Sequence, residues 1–98
     1  MYVLVTHDII DPQGFALAED RASADIDLGG WPEGIGGCPI SLHDLERKIE
    51  VCLFEADSVE AVRAFVEPIL GPQLSENNYF QIAPETVPVL AGAVLERA

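Results

Sequence analysis

Hydrophobic and polar residues follow their most regular pattern between residues 48 and 82. Ile49–Ala56 is almost continuously apolar, which is typical of a buried strand. A second, shorter strand is predicted over residues 79–82. Between the two, apolar residues recur at the spacing of one helical face, at Val59, Val62, Val66 and Ile69. The pattern therefore predicts strand, helix and strand in this half of the chain.

Local signals predict where that helix begins and ends. Asp57 is expected to be its N-cap, and Glu60 three residues later would complete a capping box. Pro68 strains or ends the last turn because it lacks a backbone N–H. Gly71, followed by Pro72, is expected to close the helix.

The first third of the chain predicts another strand and helix. Residues 2–7 are rich in β-branched and aromatic side chains, which favours a strand. Asp11 and Pro12 match an N-cap followed by proline at the first helical position. The helix is expected to end by Gly29 and Gly30. Its modest apolar stripe consists of Phe15, Ala18, Ala22 and Ile26. Its acidic residues are predicted to form a solvated face, at Glu19, Asp20, Asp25 and Asp27.

The middle and the end of the chain complete the predicted element order. Glycine and proline are dense between residues 29 and 39, so the strand predicted over residues 35–42 should bend near Gly36. A last helix, capped by Thr86, is predicted within residues 84–98. The order is β-α-β-β-α-β-α, which contains a split pair of βαβ units. We therefore predict an α+β fold: a ferredoxin-like βαββαβ sandwich with an extra C-terminal helix, in a single domain over residues 1–98.

Strand alternation divides the sheet residues into a purely aliphatic set and a mixed set. We expect the aliphatic set to meet the helices and the mixed set to face away from them. The mixed set consists of Val3, Val5, His7, Glu50, Cys52, Phe54, Tyr79 and Gln81. It is too apolar to be left in water and too polar for an ordinary core, so two such faces are predicted to pack as a homodimer with a lined interior.

Charge and composition narrow the classes of partner. The net charge is −12, from 17 acidic and 5 basic residues, which disfavours nucleic acid and anionic membranes and favours cations. Two cysteines are too few for a disulfide framework. We expect no targeting segment, because residues near Met1 show no basic region followed by an apolar core and a small-residue cleavage site, and no apolar run approaches the roughly 18 residues that span a bilayer. The expected location is therefore the cytoplasm.

The segment VCLFEADSVEAVRAFVEPILG, followed by NNYFQI, resembles the dimeric α+β barrel superfamily. Within it, the segment is similar to small nickel-binding ferredoxin-like bacterial proteins. The resemblance implies a homodimer and a cavity under the sheet. It implies no single activity, because the superfamily includes cofactor-free monooxygenases, polyketide cyclases, haem enzymes, isomerases and binding proteins. The nickel-binding relatives carry a histidine shortly before the cysteine strand, and the nearest counterpart here is His43.

His7 and Glu50 are the candidate catalytic residues. His7 ends a strand and could move a proton near neutral pH; the alternative is a half-exposed histidine bonded to backbone. A buried Glu50 would have a raised pKa and could act as general acid or base; the alternative is pairing with Lys48 or Arg47. Ligand contacts are predicted for Val5, Cys52, Phe54, Tyr79, Gln81 and, in a lid, Trp31; the alternative for Trp31 is a packing anchor.

Three functional hypotheses follow. The first is an enzyme or binding protein for a hydrophobic small molecule, without a cofactor, of the cyclase, isomerase or cofactor-free monooxygenase type. The second is a non-catalytic oligomeric interaction module. The third is a nickel- or zinc-binding protein, with His7, Asp8 and His43 as weak ligand candidates beside Cys52 and Glu50. Whether the protein is an enzyme stays open.

Overall fold

A computed structural model describes residues 1–84 of the chain. Four strands and two helices alternate in the order β1 Tyr2–Ile9, α1 Pro12–Gly29, β2 Ile35–His43, β3 Ile49–Ala56, α2 Val59–Leu70 and β4 Ser75–Ile82. The order over these residues is the predicted β-α-β-β-α-β. The predicted C-terminal helix lies, apart from Pro84, outside the described residues. Neither α1 nor α2 combines the length and the apolar character that crossing a membrane requires.

The strands form one antiparallel sheet in the spatial order β2-β3-β1-β4. β1 is central, pairing with β3 on one side and β4 on the other. The pairing of β2 with β3 shifts register between Ile35 and Ile40, which confirms the bend predicted near Gly36. The result is an α+β fold that is compatible with a ferredoxin-like arrangement.

The predicted boundaries of α1 are confirmed. The Asp11 side chain accepts a hydrogen bond from the Gly14 N–H at 3.1 Å, as expected of an N-cap. At the other end, Gly30 has a φ of +78°, a conformation that glycine adopts without a Cβ clash. Both signals were local in sequence, so they predicted the helix without knowledge of the fold.

The N-cap predicted for α2 is wrong by one residue. Ser58, not Asp57, accepts the hydrogen bond, from the Ala61 N–H at 3.0 Å. Glu60 is then two residues after the cap, so it cannot complete a capping box. The Asp57 N–H instead donates to the Gly34 carbonyl oxygen at 2.8 Å, which holds Asp57 in the connection before the helix.

The predicted orientation of the sheet is also wrong. Val3, Val5, Cys52 and Phe54 of the mixed set form the core together with residues of both helices, namely Phe15, Val62, Val66 and Leu70. The mixed set therefore faces α1 and α2, and the aliphatic set lies on the face that neither helix covers. Alternation separates the two sets but does not say which one meets the helices, because polar residues can be buried when side chains of neighbouring elements satisfy them.

Candidate functional site

A cavity of about 280 Å³ lies between the helix pair and the sheet. Its walls are mainly apolar, with Ala22, Ile26, Trp31, Phe54, Phe65, Val66, Ile69 and Leu70. Its polar residues come from α1 and three strands: His7, Glu19, Ser23, Cys38, Ser41 and Cys52. An apolar space with a few convergent polar groups is the usual form of a small-molecule site.

Three aromatic rings form one end of the cavity wall. Trp31 meets Phe54 and Phe65 edge-on, with ring centroids 6.3 and 5.7 Å apart, and Phe54 meets Phe65 at 6.1 Å. These are favourable edge-to-face distances. Trp31, predicted to be a lid residue, thus lines the cavity as part of a packed aromatic cluster.

His7 is almost completely buried, with 1% of its surface exposed. Its Nδ1 lies 2.6 Å from Asn77 Oδ1. The Asn77 amide is held in this orientation because its Nδ2 donates to Glu67 Oε2 at 2.9 Å. Oδ1 can only accept, so His7 Nδ1 is the donor. In the neutral ring, Nε2 then carries a lone pair, and this atom has no hydrogen-bond partner among residues 1–84.

The network behind His7 extends through β4 to α2. Ser75 Oγ lies 2.7 Å from Asn77 Oδ1, and the Tyr79 hydroxyl donates to Glu67 Oε2. Burial and the neighbouring Glu67 raise the pKa of Tyr79. Glu67 therefore accepts from two donors and fixes Asn77, which in turn fixes His7. This is the second-shell pattern that orients a functional histidine.

Glu50 and Cys52 lie beside the His7 ring. Each of the three residues offers one ligand atom, and these atoms all lie within 4.8 Å of one another. Cys52 Sγ donates to Glu50 Oε2 at 3.6 Å and lies 3.5 Å from Ser41 Oγ. Both residues are buried, Glu50 with 4% and Cys52 with 6% of its surface exposed. The structure thus brings three buried groups with different donor atoms to one point.

Glu19 of α1 adds a second carboxyl group to this point. Burial, followed by the hydrogen bond and the charge of Glu50, raises the pKa of Glu19 to about 8. Burial also raises the pKa of Glu50, against the opposing effect of the hydrogen bond from Glu19. Burial lowers the pKa of His7, but its interactions with Cys52 and Asn77 outweigh burial and raise it. At neutral pH, Glu19 therefore holds a proton in the cavity wall.

The two thiols of the cavity differ in acidity. A hydrogen bond with Cys38, then burial, raises the pKa of Cys52. The same Cys52 hydrogen bond lowers the pKa of Cys38, whose Sγ also lies 3.3 Å from the Ile40 carbonyl oxygen. Both cysteines are free. Cys38 is thus the more acidic thiol and Cys52 the more deeply buried one.

The structure brings some of the predicted site residues together and separates others. His7, Glu50 and Cys52 meet, and Phe54 and Trp31 line the same cavity. Val5 is a core residue and Tyr79 lies behind the cavity wall, bonded to Glu67. Gln81, Asp8 and His43 are exposed, although His43 on β2 is the register partner of Glu50. Asp8 follows His7 on β1 and so points to the opposite face, while His43 Nδ1 lies 3.1 Å from the Asp44 carbonyl oxygen.

The polar residues of the site that the sequence analysis missed include Glu19, Asn77 and Glu67. Glu19 was assigned to a solvated helix face, although it lies four residues after Phe15 and three before Ala22, on the apolar stripe of α1, where Asp20 does not. Asn77 and Glu67 were not singled out. Asn77 shares the alternation of Tyr79 on β4, and that register was the available signal for its direction.

Comparisons with known proteins do not assign the chain to a family. No family model matches the chain, and no curated protein is similar to it. The function has therefore to be argued from the geometry of the site.

Proposed function

We propose that this protein binds a small, mainly apolar molecule in the cavity between the helices and the sheet, as an enzyme or as a binding protein. The observation that carries the proposal is the cavity itself: about 280 Å³ of space with apolar walls, into which buried ionisable groups converge. Residues 1–84 leave this space unfilled, whereas packed protein interiors have few voids larger than a water molecule.

The size and lining of the cavity define the ligand class. The volume is near the lower end for small-molecule sites, roughly 300–1,000 Å³, so we infer a ligand of one or two fused rings. The aromatic cluster of Trp31, Phe54 and Phe65 suits a flat apolar body. The opposite, polar side suits a hydroxyl or carbonyl oxygen, which would hydrogen-bond with His7 or Glu19.

If the ligand is a substrate, proton transfer is the chemistry that these residues support. Glu19, with its pKa of about 8, can donate a proton at neutral pH, and His7, which also lines the cavity and whose Nε2 has no hydrogen-bond partner among residues 1–84, can accept one. Isomerisation and cyclisation both require a proton to be removed at one atom and returned at another. These are two of the reaction types that the sequence predicts. Cofactor-free oxygenation stays a further proposal, since it too begins with loss of a substrate proton.

Binding of 1-naphthol, an apolar bicyclic probe with one hydroxyl, tests the proposal by calorimetry. Ala22 lines the cavity from α1, so Ala22→Phe fills the space and is expected to weaken binding by about ten-fold or more. Ala24→Phe is the matched control, because Ala24 is exposed on the same helix and does not line the cavity. Failure of the wild-type protein to bind the probe, or equal weakening by both substitutions, would overturn the proposal.

Within residues 1–84, neither helix covers one face of the sheet, and this uncovered face favours a second function, self-association. It exposes large apolar side chains, with Leu42 65%, Ile49 47% and Phe80 50% accessible. We infer that a second copy of the chain covers this face in a ferredoxin-like homodimer, because one apolar face can pair with itself around a two-fold axis. Unlike the dimer expected from the sequence, this interface would be dry and aliphatic, and the ligand cavity would lie on the other side of each sheet.

Light scattering at micromolar concentration tests the self-association. The wild-type mass should be that of a dimer, and Phe80→Glu should give a monomer by placing a charge in the interface. Leu45→Glu is the control, since Leu45 is fully exposed in the turn between β2 and β3 and should leave the dimer intact. A wild-type protein with the mass of a monomer contradicts this function.

A further inference from the structure

We propose that His7, Glu50 and Cys52 form a binding site for one divalent d-block ion of the zinc class. The inference rests on the proposed function only in treating this side of the cavity as a functional surface. It gives the cavity a metal centre that a bound small molecule could reach.

The first observation is the unpartnered nitrogen of His7. Nε2 is completely buried and has no hydrogen-bond partner within residues 1–84, although an unpaired buried polar atom costs about 1–3 kcal/mol. The ring is held with this nitrogen free, since Nδ1 donates to Asn77 and Asn77 is fixed by Glu67. Histidines that bind metal ions are prepared in the same way, by donating their other N–H to an oxygen.

The second observation is what surrounds the His7 ring. The imidazole nitrogen, a Glu50 carboxylate oxygen and Cys52 Sγ lie within 4.8 Å of one another. Zinc ligands lie about 2.0–2.3 Å from the ion, so two ligand atoms of one site are at most about 4.6 Å apart. Small side-chain rotations are therefore enough to bring the three atoms to bonding distance, without movement of the strands.

The donor atoms select the class of ion. One nitrogen, one sulfur and one oxygen suit zinc, cobalt or nickel, whereas magnesium and calcium prefer oxygen alone. Glu50 and Cys52 would supply two negative charges when bound, which neutralise a divalent ion in a buried place.

The position of the site leaves room for a further ligand. His7 and Cys52 both line the cavity, so an ion held by them would border it and could take a fourth ligand from it. Three protein ligands and one open position are typical of catalytic rather than structural zinc sites.

Titration of the metal-free full-length protein with Co²⁺ tests the site. We expect one ion per chain, visible d–d absorption, and a near-ultraviolet thiolate-to-cobalt charge-transfer band, all removed by added Zn²⁺. Absence of the charge-transfer band in the wild-type protein would overturn the proposal, because the ion would then not touch Cys52.

Substitution of each ligand, with controls of the same residue type for His7 and Glu50, locates the ion. His7→Gln, Glu50→Gln and Cys52→Ser should each weaken Co²⁺ binding by about 100-fold or more. The controls His43→Gln and Glu55→Gln, both at exposed positions, should each retain it within about two-fold. Loss in a control with retention in its partner would overturn the assignment of that ligand.

Two further measurements keep the test valid if a ligand variant unfolds. In the wild-type protein, Zn²⁺ should raise the urea midpoint of unfolding, because the ion binds the folded site; an unchanged midpoint would count against the site. Calorimetry with 1-naphthol is run on the same sample. Naphthol binding without Co²⁺ binding overturns only the metal site, and Co²⁺ binding without naphthol binding overturns only the proposed function.

Discussion

Both faces of the sheet are rich in apolar residues, but they differ in which side chains they bury and which they expose. The face under the helices buries His7 and Glu50, with 1% and 4% of their surfaces exposed. The other face leaves Leu42 and Phe80 half or more exposed while holding no buried ionisable residue among residues 1–84. Burying a charge or an unpaired polar atom costs stability, and so does exposing apolar surface. Each face therefore carries a cost that a ligand, on the helix side, or a partner, on the other, would offset.

The first test of this contrast compares two phenylalanines on opposite faces, and it has the largest expected effect on stability. Phe54 is 5% exposed and packs in the core, whereas Phe80 is 50% exposed on the uncovered face. Phe54→Ala should lower the free energy of unfolding by about 3–5 kcal/mol, because it removes a buried ring and leaves a void. Urea denaturation followed by far-UV circular dichroism measures the change.

Phe80→Ala is the matched control. In dilute protein, where self-association does not contribute, it should cost less than about 1 kcal/mol because the ring is already half in water. Equal losses for the two substitutions would mean that the helices do not cover the face that bears Phe54.

The second test compares neighbouring asparagines of β4 that point to opposite faces. Asn77→Ala removes the acceptor of His7 Nδ1 and one donor to Glu67. Leaving these groups unpaired should cost about 1–3 kcal/mol in the free energy of unfolding. It should also release the histidine tautomer, which ¹⁵N chemical shifts of the His7 ring report.

Asn78→Ala is the control for Asn77→Ala. Asn78 is exposed, and its register partner on β1 is Thr6, on the uncovered face. We expect its stability to stay within about 0.5 kcal/mol of the wild-type protein and the His7 ring shifts to stay unchanged. Identical ring shifts in the wild-type protein and in Asn77→Ala would contradict the role of Asn77 in orienting His7.

The sequence predicted the elements better than it predicted their orientation. Ile49–Ala56 and the ends of α1 were predicted correctly, because a buried strand, an N-cap and a glycine exit are local signals. β4 begins at Ser75, earlier than the predicted residue 79, because pairing with β1 overrides the weak strand propensity of its polar residues. Tertiary contact, not local preference, sets that boundary.

The candidate site could be predicted in part, because strand alternation is a local signal while helix packing is not. Alternation placed His7, Glu50 and Cys52 on one face, and the structure brings them together. It could not show which side the helices cover, and it could not identify Glu19, whose burial depends on how α1 packs on the sheet. Residues of one strand pair are predictable by register, whereas contacts between a helix and a sheet depend on the whole fold.

The smallest expected effect concerns the pH dependence of stability in the metal-free protein, which reports on the helix-covered face alone. The pKa of Glu19 is about 8 in the folded protein, above its usual value of 4.5. Between these two pH values the folded state holds a proton that the unfolded state has released, so stability falls as pH rises through this range. Because Glu19 is partly exposed, we expect a loss of about 1–2 kcal/mol between roughly pH 5 and 8.

Glu19→Gln separates this effect from other titrations. Glutamine keeps the hydrogen bond to Glu50 but cannot ionise, so the fall in stability with pH should become shallower. Asp20→Asn, at an exposed position of the same helix, should leave the slope unchanged. Urea midpoints at several pH values measure the slopes. A wild-type protein whose stability rises over this range would show that Glu19 is ionised in the folded state, and the cavity would then present a negative charge rather than a proton to its ligand.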